Sequence, residues 1–221
     1  MLKTNTETHY VAQVQEVYDG HPWLGNPYLA DVKATPYLFP PLSPNIVATL
    51  GRLLGLNAVN AVIWLRFFFA TLLAFIIYLF CYNLFGRRAI GLVAAPFVML
   101  SYDLVDPATI LDILRVKGWQ ETIGFIGYGR PINPQISSLF FFSYLLFLWK
   151  YIHEQSKIYY GIIGAILLGL SFYVYLFTWT FIFSFNFFLL IVYASQRDWG
   201  VVKKIIGISA LAAFIGIPYA V

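Results

Sequence analysis

The chain has little charge and almost no cysteine. Only 11% of its 221 residues are Asp, Glu, Lys or Arg, whereas a soluble domain carries about 25%. The single cysteine, Cys81, lies inside an apolar run, so an internal disulfide and a cysteine-rich metal site are both excluded. There is no Walker loop, HExxH, GxSxG or CxxC, and Gly124-Phe-Ile-Gly-Tyr-Gly129 has the wrong spacing for a dinucleotide fingerprint. No N-x-S/T sequon occurs. The net charge of +4 forms no basic stripe with interleaved aromatics, which argues against nucleic acid as a partner. What is present is apolar: 60% hydrophobic residues, 19% aromatic, and a mean hydropathy of +0.74. Such a chain cannot cover itself in water. It reads as an all-α integral membrane protein, with a soluble fold and disorder both excluded.

Spanning helices need about 20 apolar residues. Residues 1–57 form a first external segment, polar or proline-rich over the first 45. Residues 58–102 hold two spans, Ala58 to Phe85 and the shorter Ala89 to Tyr102, which Pro96 interrupts. Residues 103–134 form a second external segment. Residues 135–221 hold four spans: Gln135 to Ile152, a run from Ile158 to Tyr193 that must split near Phe177-Thr178-Trp179, and Lys203 to Val221. The expected fold is therefore about six transmembrane helices with two external loops containing amphipathic helices.

Lysine and arginine set the orientation. The short connections hold Arg87, Arg88, Lys150, Lys157, Arg197, Lys203 and Lys204 against two acids, Glu154 and Asp198. The external segments hold eight of the ten acids. The short basic loops are thus expected in the cytoplasm, with the protein in the plasma (inner) membrane. An external N-terminus without a signal peptide or preceding span, and an end inside the last span, suggest a piece of a longer protein.

In the first external segment Tyr10, Val11, Val14, Val17 and Tyr18 recur at helical spacing, and Asp19-Gly20 ends the helix. Glu7 falls in the middle of the apolar arc, while His9, Gln13 and Glu16 take the opposite, solvated face. A carboxylate on a buried face is either paired or used. The alternative is a capping box, Thr4-Asn5-Thr6-Glu7. Asp19 is either a turn residue or a substrate ligand. Residues 20–45 carry six of the eleven prolines and form an ordered extended loop. In it Trp23 and Tyr28 either stack on a sugar or join the interfacial aromatic belt. A second amphipathic helix opens at Pro44, with Leu53 and Leu54 on its apolar side and Arg52 on its polar side. It lies in the interface plane and delivers the chain to the first span at Asn57. Its Gly51-x-x-x-Gly55 spacing permits close approach.

In the second segment Asp106-Pro107 reads as a helix cap, whereas Asp103 at the membrane edge has no such role and is the better candidate for chemistry. Arg130 faces the headgroup layer, as a phosphate ligand or an anchor. Asn133, before Pro134, caps the third span or binds substrate. Arg66 sits eight residues past Ala58, roughly 12 Å into its helix. A charge in a span is functional or snorkels to headgroups.

Taken together, Glu7-Thr-His-Tyr10, Asp19-Gly20, Gly25-Asn-Pro-Tyr28, Pro40-Pro-Leu42, Arg130-Pro-Ile-Asn-Pro-Gln135 and Tyr173-x-Tyr-x-x-x-Trp179 resemble polytopic membrane glycosyltransferases of the GT-C superfamily. That resemblance implies a donor sugar carried on polyprenyl phosphate, and a glycan, lipid or protein acceptor. It implies a general base at Glu7, although the superfamily more often has aspartate there, and a second acid at Asp103. Arg66, Arg130, His9, Tyr10, Asp19 and Asn133 are the implied substrate contacts. A divalent cation is compatible with this chemistry, but Thr6 and Thr8 flank Glu7 where an acidic pair would help hold one. The alternatives are a lipid or polysaccharide transporter, for which no internal repeat speaks, and a non-catalytic subunit.

Overall fold

The structure, a computed structural model, describes residues 5–26, 29, 31, 35, 38–105, 131–154 and 157–220. Every regular element among them is helical. Helices α1 (Asn5–Tyr18) and α2 (Leu42–Leu53) precede the long α3 (Ala58–Phe85) and α4 (Arg88–Val105). A kinked turn at Pro131–Ile136 leads into α5 (Ser137–His153), followed by α6 (Ile158–Ser171), α7 (Leu176–Ser195) and α8 (Trp199–Ala220).

Among the described residues four helices are long and apolar enough to cross a membrane: Ala58–Phe85, Ile132–His153, Leu176–Ser195 and Trp199–Tyr219. Arg88–Leu100 and α6 are apolar but shorter. Helix α3 shows why the surroundings must be lipid. Its buried residues Ala58, Ala61, Val62, Leu65, Phe69, Leu73 and Ile77 form one stripe at helical spacing. Its other faces expose Trp64, Phe67, Phe68 and Phe75, each more than half exposed. Water would not tolerate that surface. The protein is membrane-embedded.

Local signals set the helix ends. Asn57, where the first span was expected to begin, accepts a hydrogen bond from Asn60 N at 2.9 Å and caps α3. Gly86, with φ +69°, closes it in the left-handed conformation. Pro96 lies inside α4 without ending it. The break in the 158–193 run falls at residues 172–175, a few residues before the expected Phe177-Thr178-Trp179. A tertiary contact selects that place: Tyr173 O turns away to accept Leu42 N at 2.9 Å, and Tyr175 is extended.

Two apolar cores result. The first joins Val14 and Val17 of α1, Val47 of α2, the α3 stripe, Ile132, Ile136 and Val174. The second joins Tyr144 and Leu148 of α5 to α6, Ile182 of α7, and Ile205, Ile208 and Ala212 of α8. Lipid provides no hydrophobic drive between helices, so close packing and polar contacts hold the second core together. Tyr144 donates its hydroxyl to Asn186 Oδ1 at 2.7 Å, and Asn186 Nδ2 donates to Ser209 Oγ at 3.0 Å, tying α5, α7 and α8. Lys204 Nζ donates to Tyr151 O at 2.9 Å, so the start of α8 lies beside the end of α5. At the same turn Glu154 lies between Lys150 (3.7 Å) and Lys157 (3.4 Å).

Candidate functional site

The N-terminal helix is where the expected chemistry concentrates, and it is more enclosed than its amphipathicity implies. Val14 and Val17 are buried as expected, but so are Gln13 and Glu16, at 5% and 8% exposure. The expectation that Gln13 and Glu16 face solvent is therefore corrected. The chain after Gly20 (φ +97°) folds back on α1, with His21 N donating to Glu16 O at 2.9 Å. Leu24 is buried, Leu38 N donates to Leu24 O, and Phe39 meets the His9 ring edge-on at 4.9 Å. A helical wheel distinguishes two faces; the returning segment covers part of the second.

His9 is half-buried, and burial lowers its pKa below the usual 6.5. Gln13 Nε2 lies 2.9 Å from His9 Nε2. Gln13 thereby holds the imidazole in one orientation. Tyr10 packs against the first core, half-buried.

The C-terminal end of α1 is clamped. Tyr18 donates its hydroxyl to Leu56 O at 2.8 Å. Arg52 Nη2 donates to Val17 O at 2.6 Å, with its guanidinium over the Tyr18 ring at 5.1 Å. A cation on the last carbonyls of a helix is favourable for the helix dipole. Burial raises the Tyr18 pKa, and the Arg52 charge opposes that rise. Gly51 allows this approach: a Cβ there would collide with the Tyr18 hydroxyl and lie 2.6 Å from Ala61 Cβ. Gly55 meets nothing and serves the turn instead, with φ +67°. Pro44, Val47, Ala48 and Gly51 form the face of α2 that packs, while Leu53 and Leu54, expected on the apolar side of an interfacial helix, are 77% and 63% exposed.

Asp19 is exposed and accepts from Gln15 Nε2 at 2.9 Å, the role of a helix-end residue. Arg66 is half-buried beside the α3 stripe. Asn133 is extended (φ −143°, ψ 124°) and precedes a cis peptide bond to Pro134. It accepts from Ser137 Oγ at 2.8 Å, so it closes the start of α5 through a side chain instead of a backbone N–H. Glu7 lies in the first turns of α1 and Asp103 in the last turn of α4; their side chains, and Arg130 altogether, lie outside the described residues.

Sequence reasoning missed a cleft of about 340 Å³ beside Asn133, between the starts of α5 and α7. Its polar wall is Ser137, Ser138 and Thr178 and its apolar wall includes Phe141 and Phe181. The paired Ser137-Ser138 and the lone Thr178 among aromatics were the available signal. A second hollow of about 310 Å³ lies between Trp23, Asn45 and Tyr173. There Asn45 Nδ2 is already donating to Pro22 O and Pro41 O. Among the described residues no three His, Cys, Asp or Glu side chains come together as a metal site. No known protein family, characterised protein or solved structure matches the chain.

Proposed function

We propose that the protein is a membrane glycosyltransferase that moves a sugar from polyprenyl phosphate to a glycan, lipid or protein acceptor at the outer face of the plasma (inner) membrane. One observation carries this reading. Helix α1, whose first turns contain Glu7, His9 and Tyr10, packs in one core with α2, the start of α3, the Pro131–Ile136 turn and Val174. The described parts of the motifs around Tyr10, Leu42, Ile132 and Tyr175 thereby belong to one core. In the proposed topology α4 and α6 complete six spans, and the Arg87, Lys157 and Arg197 turns face the cytoplasm.

In this reading Glu7 takes the proton of an acceptor hydroxyl, whose oxygen attacks the anomeric carbon with inversion. The bond from that carbon to the phosphate oxygen breaks, and polyprenyl phosphate leaves with the electron pair. Arg130 or Arg66 offsets its charge, and Asp103 orients the acceptor. His9 and Tyr10, one turn along α1, line the approach to Glu7.

The test is Glu7→Gln in proteoliposomes containing a polyprenyl-phosphate sugar. Loss of transfer by about 10²–10⁴-fold with an unchanged melting temperature is expected for removal of a general base. Full activity in that variant overturns the assignment.

A further inference from the structure

We propose that the turn joining α7 to α8 holds the phosphate headgroup of an anionic phospholipid, through Arg197 and Lys203. The inference rests on the membrane-embedded fold, holds for either orientation in the bilayer, and is independent of the transferase reading.

Arg197 carries the argument. It ends α7 in the left-handed conformation, with φ +60°, where a helix usually places glycine because a side chain is strained there. The hydrogen bonds are those of a glycine cap: Arg197 N donates to Ala194 O at 3.0 Å, and Asp198 N donates to Tyr193 O at 2.9 Å. The backbone thus calls for glycine, and the sequence puts a long cation there instead. Its side chain is exposed, and its guanidinium makes no hydrogen bond or ion pair to any described residue. A strained residue whose side chain holds nothing in the fold points to a role outside it.

The surroundings set the charge and the level. Residues 150–157 and 196–204 hold five lysines and arginines against two acids, and both acids are engaged. Glu154 lies between Lys150 and Lys157, and Asp198 Oδ1 accepts Val201 N at 3.1 Å as the cap of α8. Lys204 Nζ donates to Tyr151 O, which brings the two turns to one end of the bundle. Lys203, like Arg197, is exposed and has no side-chain partner among the described residues. Three candidate spans end or begin here: Ile132–His153, Leu176–Ser195 and Trp199–Tyr219. Beside the cations Trp199, Ile158 and Tyr159 are exposed. Apolar and aromatic side chains so open belong at the hydrocarbon boundary, which puts Arg197 and Lys203 among the headgroups. At that level the anion within reach is a lipid phosphate.

The experiment takes the full chain from detergent micelles containing equal amounts of dioleoylphosphatidylglycerol and dioleoylphosphatidylcholine, read by native mass spectrometry. A basic residue near an anionic lipid surface raises affinity about fivefold, so the wild type should hold phosphatidylglycerol about 25-fold over phosphatidylcholine. Arg197→Gly should lower that preference about fivefold, and Arg197→Gly with Lys203→Gln should bring it close to none. Arg197→Gly should also melt no lower than the wild type, because glycine suits the left-handed cap. Millimolar glycerol phosphate should not displace the lipid. Equal retention of the two lipids, a preference undiminished in the double variant, displacement by glycerol phosphate, or a lower melting point for Arg197→Gly overturns the proposal.

Discussion

Gln13 fixes the proton of His9. Their Nε2 atoms are 2.9 Å apart, and an amide nitrogen can only donate. His9 Nε2 therefore accepts, and the imidazole proton sits on Nδ1. Protonating His9 charges a half-buried ring, and that burial lowers its pKa.

A pH dependence of stability follows. With the folded pKa below the unfolded value of 6.5, the unfolded chain binds the proton first as pH falls. The contribution of His9 is complete above 6.5 and is lost as pH falls from there through the lowered folded value. Melting curves in detergent between pH 8 and pH 5 should show a steeper loss for the wild type than for His9→Gln. Parallel curves would mean that His9 titrates alike in both states.

Asn186→Leu should destabilise the second core. It strands the Tyr144 hydroxyl, whose only described partner is Asn186 Oδ1. A cost of about 1–2 kcal/mol is expected, within the range of polar contacts in lipid and of stranded buried donors. Adding Tyr144→Phe should recover part of it. Steric trapping or reversible unfolding in mixed micelles provides the measurement.

Gly51→Ala should loosen α1 from α2 and α3. The new methyl would lie 2.6 Å from Ala61 Cβ and press on the Tyr18 hydroxyl, and overpacking of this kind costs about 1–3 kcal/mol. Limited proteolysis should cut the Gly20–Pro41 segment faster in the variant, and Ala61→Gly should restore part of the protection. An unchanged cleavage rate would show that α1 is not held by this contact.

The transferase reading predicts selective lipid capture. In native mass spectrometry, Arg130→Ala or Arg66→Ala should reduce retention of a polyprenyl-phosphate sugar by about tenfold or more, the loss of one charge-assisted hydrogen bond. Retention of bulk phospholipid should not change. If only bulk phospholipid is held, and equally in all variants, the arginines do not form a phosphate site.

The membrane class, α1, the start of α3 near Asn57 and the end of α1 at Asp19-Gly20 were legible because composition, periodicity and turn chemistry act locally. The burial of Glu16 was not legible, since it depends on a segment that returns after Gly20 to lie over α1. The break after Ser171 was likewise displaced by a partner far away in sequence, Leu42 N. Of the expected site residues, His9 and Tyr10 lie on a helix packed into the first core, but Asp19 and Asn133 are bonded to Gln15 and Ser137. A side chain's neighbours decide between cap and ligand, and a sequence does not list them. Arg66 stands out in the sequence because a charge inside an apolar run is visible by its cost, but whether it serves a ligand or snorkels to headgroups is again a matter of neighbours.

The unequal helices bear on the bilayer itself. Helix α3 has 28 residues and is about 42 Å long, while α6 has 14 and is about 21 Å long, against a hydrocarbon layer of about 30 Å. Ile158, Tyr159, Ile162 and Ile166 of α6 are exposed and apolar, so that short helix also faces lipid. No single thickness matches both. In the proposed six-span topology α3 tilts or swells the leaflets near it, while α6 thins the membrane beside it. In that topology the protein favours a border between thick and thin membrane, and lateral sorting by thickness becomes a property of its unequal helices rather than of its chemistry.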